Sequence, residues 1–128
     1  MSLRIVQLGS ARHPDEGIRL GTVRRPPRGV RKTQYAKLNY YDVWLPNLSP
    51  TAELMSKKLV KEDGSGWHTF ERSFRAELKQ PDKSHLLDAL AALSHNTNFS
   101  VGCYCNDEQR CHRSILRAEF KKRGALIK

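Results

Sequence analysis

Between Phe99 and Arg123 a strand pattern hands over to a helix pattern across a short polar turn. No other stretch constrains the fold as much. Phe99, Val101 and Cys103 alternate along Phe99–Cys105, the period of a strand. Asn106–Arg110 is a polar turn. Cys111–Arg123 then sets Ile115, Leu116 and Phe120 on the inward side of a helix, with Gly124 as its C-terminal cap. All three cysteines, Cys103, Cys105 and Cys111, lie in this handover, and His112 and Arg113 follow the last one directly.

The preceding chain supplies the partners that such a strand and helix need. Arg4–Gly9 reads as a first strand and Gly17–Arg24 as a second, with a turn cluster at His13–Gly17 between them. Arg25–Asn39 holds two adjacent prolines, a glycine and five Lys or Arg, and reads as a long loop. Tyr40–Leu45 returns to strand chemistry, with Trp44 and one tyrosine expected in the core. Ser49-Pro50 is read as an N-cap and first helical residue, with a helix running to Val60 and a turn at Lys61–Gly66. Thr69–Lys79 places Phe70, Phe74 and Leu78 four apart, and Pro81 is read as the break after it. Ser84–Ser94 sets Leu86, Leu87, Leu90 and Leu93 on one helix face, and Ala125–Ile127 is a candidate edge strand. Strands, then helices, then strand–turn–helix predict one α/β domain over residues 1–128. Its sheet should be open, three-layered and mostly parallel, with helices packed on it.

Charge points to a partner class. The chain carries 23 Lys and Arg against 13 Asp and Glu, a net charge of +10 over 128 residues. The excess is uneven: Ile18–Tyr41 has seven basic residues and no acid, and Arg110–Lys128 has seven with one acid, Glu119. Two basic zones, one beside the cysteine turn, predict an anionic ligand such as a nucleotide or nucleic-acid phosphate. The N-terminal MSLRIVQLG is too short and too soon interrupted for a signal peptide or membrane span, so a cytoplasmic protein without membrane attachment is expected. Three clustered cysteines do not make a disulfide framework.

The turn reads CxCx5CHR. Cys103, Cys105, Cys111 and His112 are four groups of zinc-ligand type, but two adjacent helical residues diverge by about 100°, and no second knuckle exists. No metal or cofactor is therefore expected. A cysteine at a helix start beside cations has thiolate character, which makes Cys105, Cys111 and His112 the candidates for thiol chemistry on a phosphorylated or sulfur-containing substrate. The spacing Cys111–Arg117 also fits the Cx5R of phosphatase loops, but the stretch lacks the glycines such a cradle needs. That thiol chemistry is the alternative; in the leading reading, which needs no reaction, Arg113 and the helix-start amides bind an anion while Arg24, Arg28 and Tyr35 of the basic loop close over it. Cys103 fits a plain packing role.

CYCNDEQRCHR resembles the C-terminal motif of the DUF488 (domain of unknown function 488) family through Cys105, Cys111, His112 and Arg113. Arg24–Gly29 with Arg31-Lys32, Trp44–Pro50 with Glu53-Leu54, and Trp67–Leu78 resemble three segments of its YeaO-like branch, so the likeness covers most of the chain. Arg25-Pro26-Pro27 stands where that branch usually has a tryptophan, and its members often lack the cysteine turn. The resemblance implies a three-layer α/β fold and no particular reaction.

Overall fold

In the computed structural model, which describes residues 1–128, four short strands form one sheet. They are β1 (Leu3–Gln7), β2 (Ile18–Gly21), β3 (Val43–Trp44) and β4 (Phe99–Cys103), ordered β1-β4-β2-β3. Every pairing is parallel. The last strand in sequence is the central one: Val101 lies opposite Ile5 on one side and Leu20 on the other. All five β4 residues are buried, which is why the strand has no charged residue. The α/β open sheet expected from the sequence is the fold observed.

Four helices pack on the sheet: α1 (Ala52–Ser56), α2 (Trp67–Leu78), α3 (Pro81–Leu93) and α4 (His112–Lys122). All of them contribute to one core cluster. Leu54, Phe74, Leu87 and Phe120 meet Leu3, Ile5, Phe99 and Val101 of the sheet. The opposite face is covered by loops, which form the third layer. There Arg19, in register with Ser100, is fully buried. Its Nε and Nη2 donate to Glu16 at 2.6 and 2.9 Å, and its Nη1 donates to the carbonyls of Ser10 and Asn39. Glu16 also accepts from the Ser100 hydroxyl at 2.6 Å. Tyr41 lies so close to β2 that a Cβ on Gly21 would come within 2.2 Å of its ring.

Several elements differ from the sequence reading. β3 is two residues long and lies on the sheet edge, so Trp44 is 43% exposed; Tyr41 is the buried aromatic. Trp44 is held instead by its indole N–H, which donates to the Val23 carbonyl at 2.7 Å. α1 starts after Thr51, whose hydroxyl accepts from the Leu54 N–H, and it is over by Ser56. Pro81 does not merely end α2; it opens α3, where its missing N–H costs nothing. Leu93 is 48% exposed, and Ala91 takes the inward place on α3. Ala125–Ile127 contributes a single parallel bridge from Ile127 to Leu3. No helix is long and apolar enough to cross a membrane.

Candidate functional site

A second, smaller cluster of Leu8, Val23, Tyr41, Cys103 and Cys111 lies at the carboxyl end of the sheet. Ligands collect at such ends in open parallel sheets, and here a cleft of about 870 Å³ opens beside it. One wall is Arg24, Arg25, Pro26, Pro27 and Arg28, carried out of β2 by the proline pair. The facing residues are Cys103, Tyr104, Cys105 and His112, from the end of β4 and the start of α4. Tyr40 closes one end with its ring 6.2 Å from that of Tyr104, and Met55 and Ser56 of α1 also line the cleft. No acidic side chain lines it.

The sulfur groups gather where β4 meets α4. The Cys103 and Cys111 sulfurs and a ring nitrogen of His112 lie within 4.8 Å of one another, and Cys105 lines the cleft beside them. Cys103 and Cys111 are buried, Cys105 is exposed, and none forms a disulfide. Cys111 is the N-cap of α4 and has extended backbone, φ −126° and ψ 150°. The helical divergence expected of Cys111 and His112 therefore does not apply: Cys111 Sγ lies 3.8 Å from His112 Nδ1. The other ring nitrogen, Nε2, is 2.6 Å from the Thr22 carbonyl oxygen. A carbonyl only accepts, so Nε2 carries the proton and the Nδ1 lone pair faces the sulfurs.

Each group's titration follows from these neighbours. Cys105 is lowered by its sulfur neighbours Cys103 and Cys111, and His112 and Arg113 add positive potential. Cys103 is raised by Cys105 and Cys111 and by burial. At Cys111 the nearness of Cys103 favours the thiolate, but Cys105 and burial outweigh it and raise the pKa to about 11. The thiolate tendency expected at Cys111 thus falls on Cys105. Burial lowers His112 and holds it neutral, against the pull of the Thr22 bond.

The other candidates separate. Arg24 and Arg28 both line the cleft with Cys105 and His112. Arg24, however, is engaged: its guanidinium donates to the carbonyls of Pro46, Ser49 and Pro50 at 3.0–3.1 Å. Arg28 is exposed. Arg113 is 4% exposed and does not line the cleft. Its Nη2 donates to the Cys105 carbonyl at 2.7 Å, and its buried Nε has no partner. Tyr35 lies outside the lining and packs edge-on against Tyr41 at 5.2 Å. Sequence reasoning passed over Arg25, Tyr104 and Thr22. Tyr104 stands between two motif cysteines and was open to notice. Thr22 acts through its backbone carbonyl, which no residue type reveals.

A family model described as DUF488-N3a, the active DUF488-N3 subclade, matches residues 3–124. No curated protein and no solved structure matches the chain.

Proposed function

Since the chain belongs to the DUF488 family over residues 3–124, a span that takes in the whole cleft, we propose that this cleft binds the phosphate of a nucleotide or of a nucleic-acid end. The observation that carries the reading is a lining with three arginines and no carboxylate. Arg25 and Arg28 are exposed and form no ion pair within the chain, so both are free for an anion. The Tyr40 and Tyr104 rings offer stacking surfaces for a base. The volume falls in the range of about 300–1,000 Å³ common to small-ligand sites. The reading takes the protein as cytoplasmic, in keeping with three unpaired thiols.

A second reading is favoured by the exposure of Cys105 on the same cleft. In it, a Cys105 thiolate attacks either the phosphorus of a phosphate ester, forming an S–P bond as the P–O bond to the leaving alcohol breaks, or a disulfide sulfur, forming an S–S bond as the other thiolate leaves, with Cys111 and His112 behind it.

Calorimetric titration with a nucleoside triphosphate, pyrophosphate and a short single-stranded oligonucleotide tests the first reading. Replacing both Arg25 and Arg28 by Gln should weaken binding by about a hundredfold or more, at about 1.5–3 kcal/mol for each of the two charged hydrogen bonds lost. The melting temperature should not change, and wild-type affinity should fall as salt rises. No salt-sensitive binding to any of the three would exclude it.

A further inference from the structure

The sulfur cluster has features that anion binding does not use. The ligand atoms of Cys103, Cys111 and His112 all lie within 4.8 Å of one another, and all three residues are buried. Cys105 lies outside that group, but it follows Cys103 by two residues and lines the same cleft as Cys103 and His112. We propose that Cys103, Cys111 and His112 hold one zinc-class divalent ion and that Cys105 turns its thiolate inward as the fourth ligand, which makes a tetrahedral set of three sulfurs and one nitrogen.

Three independent observations lead there. The first is distance. Zinc–sulfur bonds of about 2.3 Å and zinc–nitrogen bonds of about 2.0–2.1 Å give tetrahedral edges of roughly 3.6 Å from S to N and 3.8 Å from S to S. The 3.8 Å between Cys111 Sγ and His112 Nδ1 already spans such an edge. The second is the tautomer. A metal-bound imidazole commonly donates its other N–H to a carbonyl or carboxylate, which fixes the ring and the free lone pair. The Thr22 carbonyl supplies that acceptor at 2.6 Å, and Phe74 meets the ring edge-on at 5.8 Å.

The third is charge. Three thiolates and a neutral imidazole around a divalent cation leave one net negative charge. Arg113, buried beside Cys105 with no carboxylate partner and an unpaired Nε, supplies the one positive charge that balances it. A buried guanidinium left without a counter-charge is expensive. Three sulfurs with one imidazole suit zinc among the common divalent ions, and four protein ligands make a closed site. The ion would fasten the end of β4 to the start of α4. Cys105 would be the one ligand exposed toward the cleft.

This inference does not depend on phosphate binding. It competes with the second reading above, because a bound Cys105 is not a free nucleophile. The test uses the full chain purified without a histidine tag, under reducing conditions. Elemental analysis should find about one zinc per chain. Cobalt(II) added to the metal-free chain should give intense tetrahedral ligand-field bands and a thiolate-to-cobalt band. In Cys105→Ser that band should lose about a third of its intensity, and zinc affinity should fall more than the 10–100-fold typical of losing an outer-shell partner. Should that variant fail to fold, iodoacetamide labelling of the wild-type chain decides: Cys105 should be protected with zinc bound and labelled after chelation. A metal-poor protein with a weak octahedral cobalt spectrum would overturn the proposal. So would a thiolate band unchanged by Cys105→Ser, or fast labelling of Cys105 at saturating zinc.

Discussion

Arg19 stands in an alternating run, Ile18–Gly21, where the sequence marks it as a solvent-facing residue. It is instead buried with Glu16, because both faces of this sheet are covered. Burial by itself would raise Glu16, but the bonds from Arg19, from the Ser100 hydroxyl and from the His13 N–H outweigh it and hold the pKa near 2, against an ordinary 4.5. A carboxylate depressed in the folded state stabilises the fold above its unfolded pKa. That contribution is lost as the pH falls from about 4.5 toward 2. Glu16→Gln leaves the buried Arg19 charge unpaired and should cost about 3–5 kcal/mol near neutral pH. Denaturant melts across pH should show the gap between wild type and variant narrowing through that acid window; a constant gap would mean that Glu16 does not carry the charge. The same scale explains what was missed at the site. Cys111 and His112 converge because Cys111 has N-cap backbone, and residue spacing alone cannot tell a cap from a helical position.

At the scale of elements, the periods of two and of about three and a half were legible. The strands at Arg4–Gly9 and Phe99–Cys105 and the helices through Phe74, Leu87 and Phe120 lie where the alternation put them. Their ends were harder to read, since ends depend on tertiary partners. α1 is brief because Glu77 of α2 fixes its start: Glu77 accepts from the Thr51 N–H at 3.0 Å and from its hydroxyl at 2.5 Å. Trp44 looked like core by type, but an edge strand of two residues has nothing to bury it. Arg24 looked like a ligand residue by charge, yet it ties the exit of β2 to the Pro46–Pro50 segment through three carbonyls. Arg24→Met should therefore lower stability by roughly 1.5–3 kcal/mol, read from denaturant melts, whereas Arg28→Met should leave it within about 0.5 kcal/mol. Equal effects of the two substitutions would mean that the clamp does not contribute.

For the molecule as a whole, the two basic zones have different fates. In the C-terminal zone Arg117, Arg123 and Lys128 are neutralised by Glu108, Glu119, Asp88 and Asp15. In the N-terminal zone Arg25 and Arg28 stay unpaired and face the cleft. Sequence could show both zones, but it could not show which acids, distant in the chain, would come to meet one of them. The topology makes its own demand. β1 and β2 have no bond to each other, and β4 lies between them. A chain ending at Asn98 should accordingly show no cooperative thermal transition and a collapsed amide spectrum, whereas a folded fragment would mean that the early strands have another arrangement. The same strand order has a consequence during synthesis. At roughly 5–20 residues per second, several seconds separate the emergence of the first two strands from that of the one that joins them. During that interval the nascent chain exposes two open strand edges. The acid-free stretch Ile18–Tyr41 carries like charge through that interval, and like charge disfavours edge-to-edge pairing between chains.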